Sequence, residues 1–92
     1  MTSRYFAAFC LRMPGASDQS ARIGFTLPRA IGKAVVRNRI RRRMREAVRA
    51  QLSRLAGNRI IVFNPRRTVL DASFEDLCRE TARVMERCNE QS

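Results

Sequence analysis

The hydrophobic pattern of the first third of the chain predicts two β-strands. Residues 3–13, SRYFAAFCLRM, are rich in aromatic and apolar residues, and both faces of an extended chain would be apolar here. One of these faces carries Tyr5, Ala7, Phe9 and Leu11. Residues 21–27, ARIGFTL, alternate as in a half-buried strand. Because residues 14–20 form a short loop of turn-forming residues, we expect the two strands to pair as an antiparallel hairpin.

A helical repeat follows the connection at residues 28–33, PRAIGK. From about Ala34 to Leu55, apolar residues recur three or four positions apart, as on the buried side of a helix. This predicted stripe consists of Val36, Ile40, Met44, Ala47, Val48, Gln51 and Leu55. Gly57 and Asn58 tolerate the left-handed backbone that commonly ends a helix, so we expect the helix to stop before them.

The rest of the chain predicts one more strand and one more helix. Residues 59–65, RIIVFNP, contain four consecutive apolar residues, which indicates a strand buried on both faces. Residues 73–89 show helical spacing, with Ser73 and Asp76 as an N-terminal capping pair. The apolar stripe of this helix consists of Phe74, Leu77, Cys78, Thr81, Val84, Met85 and Cys88.

The order of elements is therefore β-β-α-β-α, which predicts an α+β fold. We expect a two-layer sandwich in which two helices cover one face of a small sheet. With 92 residues, the chain has the length of one small domain, and we assign residues 1–92 to a single domain. A chain of this size builds only a modest core.

The charge of the chain is large and unevenly distributed. Lysine and arginine number 19 against 8 aspartates and glutamates, which gives a formal net charge of +11. Residues 1–70 hold 16 basic and 2 acidic residues, a net charge of +14, whereas residues 71–92 hold 3 basic and 6 acidic residues, a net charge of −3. Such an excess repels itself in the compact state and favours a polyanionic partner.

The first predicted helix concentrates this charge. Six arginines lie between Arg37 and Arg45, and the only acid from Arg37 to Arg49 is Glu46. The side opposite the apolar stripe carries Asn38, Arg42, Arg45 and Arg49, flanked by Arg39 and Arg41, and Arg29 and Lys33 extend it from the connection. A solvated surface normally mixes charges of both signs. Because guanidinium groups bind phosphates bidentately, this side is better interpreted as an RNA-binding surface than as a solvated one.

Little else in the sequence suggests chemistry. There is no histidine, the carboxylates show no metal-site spacing, and the three cysteines include no C-x-x-C pair, so we predict no catalytic and no metal-binding residues. We interpret the cysteines as reduced hydrophobic residues of a cytoplasmic protein. No apolar run approaches the about 18 residues of a membrane helix, and we expect no membrane partner.

The segment IGKAVVRNRIRRRMREAV resembles the arginine–asparagine–arginine signature of the bacterial ribonuclease P protein component, and the order of the surrounding elements is similar along almost the whole chain. The resemblance implies a protein subunit that binds the ribonuclease P RNA subunit, one protein per RNA, and the 5′ leader of precursor tRNA. In this family the RNA subunit performs the hydrolysis with bound Mg²⁺, so the enzyme is the complex and the protein alone is inactive, with no cofactor of its own.

The resemblance also assigns roles to residues. Arg37, Asn38 and Arg39 match the signature, and Arg41, Arg42 and Arg45 match basic positions of the same helix. Phe9 matches an aromatic position of the cleft that takes the leader, and Ala7 should face the same way. The family fold implies a left-handed β-α-β crossover, which about 98% of such connections avoid. Family members usually carry an additional N-terminal helix that forms a wall of the cleft, whereas this sequence passes directly from Met1 into the first strand.

Two other functions are compatible with the same residues. A structural RNA-binding protein of ribosomal type, without a processing role, would also need a basic helix. A DNA-binding module is the third possibility. Identification of the RNA that the protein binds in its own cell extract would separate the three.

Overall fold

A computed structural model of the protein describes residues 1–12 and 21–90. The predicted order of strands and helices is confirmed. The five principal elements are β1 (Phe6–Arg12), β2 (Arg22–Phe25), α1 (Ala34–Gln51), β3 (Arg59–Pro65) and α2 (Phe74–Glu90). Three short 3₁₀ turns join them: a first turn (Arg29–Ile31), a second turn (Leu52–Arg54) and a third turn (Arg67–Asp71). The predicted loop at residues 14–20 lies outside the described residues.

The three strands form one sheet in the order β1-β3-β2, so the predicted hairpin between the first two strands is wrong. β3 lies in the centre, antiparallel to β1 and parallel to β2. The central position suits β3 because Ile60, Ile61, Val62 and Phe63 give it apolar side chains on both faces. Since β2 and β3 are parallel neighbours, the chain between them must cross over the sheet, and α1 makes this crossover. The hand of the crossover stays a prediction.

Both helices cover the same face of the sheet, as predicted. Phe6 and Ala8 of β1 and Ile61 and Phe63 of β3 are buried in one cluster with the apolar stripes of the helices. The ring of Phe63 contacts Phe6 edge to face at 5.1 Å between centroids and stacks on Phe25 at 5.9 Å. The core of the protein therefore lies between the sheet and the helix layer.

The helix boundaries follow local chemistry. The Ser73 hydroxyl accepts a hydrogen bond of 3.1 Å from the backbone amide of Asp76, which confirms the predicted cap of α2. α1 ends at Gln51, four residues earlier than predicted, because the chain tightens into the second turn before the buried Leu55. Asn58 has a φ of 57°, which lies in the left-handed region that the sequence predicts for Gly57 and Asn58. No helix within residues 1–12 and 21–90 is both long and apolar enough to cross a membrane.

Two side chains differ from their predicted environment. Tyr5 is buried, and its hydroxyl donates a hydrogen bond to Asp76 Oδ2 at 3.4 Å, because it precedes β1 and turns toward α2 instead of sharing a face with Phe9. Phe74, predicted in the buried stripe of α2, is 46% exposed at the first residue of the helix, where the core no longer covers it.

Cys10 of β1 and Cys88 of α2 form a disulfide, with their Cα atoms 5.8 Å apart. The interpretation of all three cysteines as reduced is therefore wrong for this pair, and Cys78 alone is a free thiol, half-buried on α2. The bond joins the sheet to the last turns of the second helix across 78 positions of sequence.

Candidate nucleic-acid interface

α1 separates apolar and basic residues onto opposite sides. Ile40, Met44, Ala47 and Val48 are buried against the sheet and α2, which confirms the predicted stripe. The basic face, defined here as the exposed side of α1, carries Asn38, Arg39, Arg42, Arg45 and Arg49. Because the stripe fixes the rotation of the helix, these side chains all project from the protein on one side.

The charge of the basic face is not balanced by acids. Within the described residues, the salt bridges are Arg79–Asp76, Arg83–Glu80 and Arg54–Glu86, all of which involve α2. None of them includes an arginine of α1 or Glu46. Within residues 1–12 and 21–90, the acids that form salt bridges therefore lie on α2, and the arginines of α1 form none.

Asn38 and Arg41 are joined within the helix. The Asn38 Oδ1 atom accepts a hydrogen bond of 2.8 Å from Arg41 Nη1, one turn along α1. Arg41 is half-buried at the margin of the basic face, and Asn38 is exposed. The amide oxygen of Asn38 is thus engaged by a neighbour, whereas its amide nitrogen makes no hydrogen bond within the described residues.

Arg37, the first residue of the signature, occupies a different position from its two neighbours. It lies three residues before the buried Ile40 and is half-buried itself, with its Nε atom enclosed and without a hydrogen-bond partner in the described structure. Arg37 is therefore less accessible than Asn38 and Arg39, which are both exposed. The three-residue spacing from Ile40 is the signal in the sequence that indicates this difference.

Arg29 and Lys33 extend the cationic surface to the start of α1. Both are exposed, Arg29 in the first turn and Lys33 at the N-cap of the helix. The first turn of α1 contains no acidic residue, and Lys33 gives it no side-chain cap. The positive end of the helix dipole and two cations at this position favour an anion such as phosphate.

Two further arginines donate hydrogen bonds to backbone carbonyls, the half-buried Arg43 and the exposed Arg67. Arg43 donates from Nε to the carbonyl of Val69 at 3.2 Å and from Nη2 to the carbonyl of Ala72. Arg67 donates from Nη1 to the carbonyl of Ile31 at 3.0 Å. Neither residue is among the predicted RNA-binding residues. The position of Arg43 three residues after Ile40 hints at partial burial, whereas nothing local distinguishes Arg67.

The two residues assigned to the leader cleft share the face of the sheet that the helices leave uncovered. Ala7 lies opposite Asn64 and Phe9 opposite Val62 in the β1–β3 register. Phe9 is 55% exposed and Leu11 is 58% exposed, so this open face is apolar and accessible. Both faces of the first strand carry apolar residues, as predicted, but within the described residues only the face of Phe6 and Ala8 is buried.

An open groove of about 410 Å³ lies at one end of the open face. Its lining consists of Ala7, Thr26, Pro28, Ile31, Asn64, Pro65 and Arg66. Since Pro28 and Ile31 flank Arg29, the groove connects the open face with the cationic start of α1. Of the predicted site residues, Ala7 lines this groove, and Arg29 lies between two residues that line it.

No group of three or more His, Cys, Asp or Glu residues in the described ranges is arranged to hold a metal ion. The carboxylates of Asp76, Glu80 and Glu86 instead form salt bridges along the surface of α2.

Comparison with protein families gives a match to the Ribonuclease P family model over residues 2–89. The ribonuclease P protein component of a Nocardioides species is 38% identical over 72 residues, which cover 78% of this chain and 58% of the relative. The protein of the same name from Symbiobacterium thermophilum is 44% identical over 66 residues, covering 72% and 57%. The chain thus spans little more than half the length of these curated relatives.

Solved structures share the fold at low sequence identity. The ribonuclease P protein of Thermotoga maritima superposes with a TM-score of 0.78 at 22% identity, covering 95% of this chain and 80% of that one. The Staphylococcus aureus protein superposes with a TM-score of 0.68 at 20% identity, covering 95% and 76%. The α+β arrangement of one small sheet and two helices is therefore one that solved proteins adopt.

Proposed function

Because the chain belongs to the ribonuclease P protein family, we propose that it acts as the protein subunit of ribonuclease P. In this role it binds the RNA subunit and the 5′ leader of precursor tRNA and so assists maturation of the tRNA 5′ end. The observation that carries the proposal is the basic face of α1, whose arginines have no acidic partners within the described part of the chain.

The basic face supports binding to a structured RNA. Arg42, Arg45 and Arg49 follow one another at intervals of three or four residues, so their guanidinium groups form a row along the exposed side of the helix. Each guanidinium offers a planar pair of donors to a phosphate. The amide nitrogen of the exposed Asn38 adds a neutral donor suited to a base edge or a 2′-hydroxyl. Arg29 and Lys33 continue this surface, and Arg37, Arg39 and Arg41 complete the proposed RNA-binding set.

The open face of the sheet supports binding to a single strand. An exposed aromatic ring such as Phe9 stacks on unpaired bases, which gives affinity without sequence preference. Ala7 leaves room beside it at the entrance of the groove. We propose that the leader crosses this face and that the groove leads it toward the start of α1.

We assign the chemical step to the RNA subunit. The described residues of the protein offer no metal-binding group, so the Mg²⁺ ions that the family implies would be held by RNA, in a complex of one protein with one RNA. We further propose that the crossover through α1 has the left-handed form of the family.

Reconstitution tests the proposal. The purified protein should not cleave precursor tRNA at any Mg²⁺ concentration, and adding the cognate RNA subunit should give a mature tRNA with a 5′-phosphate. Sequencing of RNA captured by the protein in its own cell extract should yield one large structured RNA together with tRNA precursors. Recovery of ribosomal RNA alone would favour the ribosomal type of function, and cleavage by nuclease-free protein alone would contradict the assignment of catalysis.

A further inference from the structure

The connection before α1 presents two of the proposed RNA-binding residues with little support from the core. Arg29 and Lys33 are both exposed, and the first turn, Arg29–Ile31, contains no buried residue. Two short-range backbone hydrogen bonds of 3.1 Å close this turn. The Ile31 amide donates to the carbonyl of Pro28, and the Gly32 amide donates to the carbonyl of Arg29. The half-buried Ile31 is the side chain that attaches the turn to the core cluster. Without further contacts, a segment of this kind opens readily.

One long-range hydrogen bond holds the connection. Arg67 Nη1 donates to the carbonyl oxygen of Ile31 at 3.0 Å, across 36 positions of sequence. A hydrogen bond from a charged guanidinium is stronger than one between neutral groups. The approach is close, because a Cβ atom placed on Gly32 would lie 3.3 Å from Arg67 Nη1.

The third turn, to which Arg67 belongs, is itself firmly fixed. Val69 is fully buried, and its carbonyl accepts a hydrogen bond from Arg43 in the middle of α1. The Thr68 hydroxyl donates to the carbonyl of Arg4 at 2.8 Å. Arg43 therefore attaches the third turn to α1, and Arg67 attaches the connection to the third turn. The result is a closed series of contacts around the start of the helix.

We propose that Arg67 is a positioning residue for RNA binding, which fixes the connection so that Arg29 and Lys33 face RNA in one arrangement. The inference rests on the proposed function and adds to it a residue outside the motif helix. Because the bond to Ile31 is made in the free protein, the cost of ordering the connection is met before RNA arrives.

Arg66 provides a matched control. It is adjacent to Arg67, equally charged and exposed, and its Nη1 atom donates to the carbonyl of Ser3 at 3.0 Å. Arg66 lines the same groove as Pro28 and Ile31, but its hydrogen bond does not reach the connection. Replacing either arginine by methionine removes one charge and one hydrogen bond to backbone. Only Arg67→Met releases the connection.

The first experiment needs no RNA. Amide hydrogen exchange at Ile31 and Gly32, which close the first turn, should be about tenfold faster in Arg67→Met and unchanged in Arg66→Met. The conservative Arg67→Lys, whose ammonium group also donates to a carbonyl, should restore most of the protection. Equal exchange in both methionine variants would overturn the proposal, whatever the protein binds.

The second experiment measures affinity for the ribonuclease P RNA subunit in a double-mutant cycle. In the natural sequence, Arg67→Met should weaken binding about tenfold and Arg66→Met clearly less. In a protein that already carries Arg29→Met and Lys33→Met, the two variants should have the same small effect, because the residues that Arg67 positions are gone. A full tenfold loss in that background would show that Arg67 itself contacts RNA and would overturn its positioning role. Failure of the unaltered protein to bind the RNA subunit would contradict the proposed function, while the exchange measurement still decides whether Arg67 orders the connection.

Discussion

The Asn38 amide oxygen accepts a hydrogen bond of 2.8 Å from the Arg41 guanidinium, so two polar residues of the motif helix act as one unit. The contact lies on the exposed side of α1 and adds little to the core. The hydrogen bond does restrict the Arg41 side chain at the margin of the basic face. A long side chain that is already ordered loses less conformational entropy when it binds a ligand. The pair therefore orders a guanidinium group beside the proposed RNA-binding surface.

Asn38→Ala should separate recognition from folding. We expect a change of about 0.5 kcal/mol or less in the free energy of unfolding, because the side chain is exposed. RNA affinity should fall about two- to tenfold, through loss of one hydrogen bond at the interface. Since Asn38 also orders Arg41, the effects of Asn38→Ala and Arg41→Met on affinity should be less than additive. Thermal melts measure the change in stability, and RNA titrations measure the change in affinity. Unfolding of the variant with intact affinity in its folded fraction would make Asn38 a structural residue.

The basic face predicts a steep dependence of RNA binding on salt. By analogy with duplex DNA, roughly 6–10 phosphate contacts lose about 10³–10⁵ in affinity between 50 and 200 mM salt. The double reversal Arg42→Glu with Arg45→Glu should make the negative slope of log K against log salt shallower by about 1.4–1.8, which is the share of two phosphate contacts.

Arg79→Glu with Arg83→Glu is the control for this reversal, because it changes the net charge equally on α2. These residues are exposed and paired with Asp76 and Glu80, and exposed pairs contribute little to stability. The control should lower overall affinity slightly and leave the slope near that of the unaltered protein. A slope that changes only in the α2 variant would place the RNA on the other helix.

Ile40→Ala tests the buried side of the same helix. The side chain is fully buried between α1 and the sheet, so its truncation should cost about 2–5 kcal/mol in unfolding free energy through lost contact and a residual cavity. In a domain of this size such a loss is a large part of the total. Val35→Ala, on the same helix at 65% exposure, should change stability by about 0.5 kcal/mol or less. Urea unfolding of both variants measures the difference, and similar midpoints would contradict the orientation of α1.

The local patterns of the sequence predicted these two sides of α1, but not the pairing of the strands. The stripe from Ile40 to Val48 sets the rotation of the helix, and the basic face follows from it. The alternation in Arg22–Phe25 equally fits a hairpin partner and an edge strand beside β3, because alternation records which face is buried and not which strand is adjacent. The apolar run of β3 indicated the strand order better, since a strand that is apolar on both faces belongs in the centre of a sheet.

The arginines of the site show a similar limit. Arg42 and Arg43 are adjacent and chemically identical in sequence, yet one is exposed and the other binds the carbonyls of the third turn. That contact spans 26 positions, and the contact of Arg67 with Ile31 spans 36. Long-range contacts of side chains with backbone depend on how the elements pack, which composition and periodicity do not determine. The pairing of Cys10 with Cys88 was missed for the same reason.

This cysteine pair predicts a response to reductant. A crosslink over 78 positions restricts the unfolded chain, and such bonds typically contribute about 2–4 kcal/mol. Dithiothreitol should therefore lower the melting temperature, and thiol titration of the denatured chain should rise from one group to three. Cys10→Ser should melt like the reduced protein with or without reductant, whereas Cys78→Ser should keep the response. Melting curves that coincide in both conditions would show that the bond contributes nothing to stability.

Gly32→Ala should destabilise the start of α1. The residue has a φ of 156° and a ψ of −174°, a combination that is essentially restricted to glycine and costs other residues about 1–3 kcal/mol. A methyl group there would also lie 3.1 Å from Val36 Cγ1 and 3.3 Å from Arg67 Nη1, so the bond from Arg67 to Ile31 would be disturbed as well. Gly24→Ala is the matched control, because its added Cβ atom would meet Val62 Cγ2 at an ordinary 4.0 Å. We expect Gly24→Ala to be neutral or slightly stabilising and Gly32→Ala to lower both the melting temperature and RNA affinity. Equal melting temperatures for the two variants would contradict the backbone constraint at Gly32 and would show that the connection before α1 tolerates a side chain there.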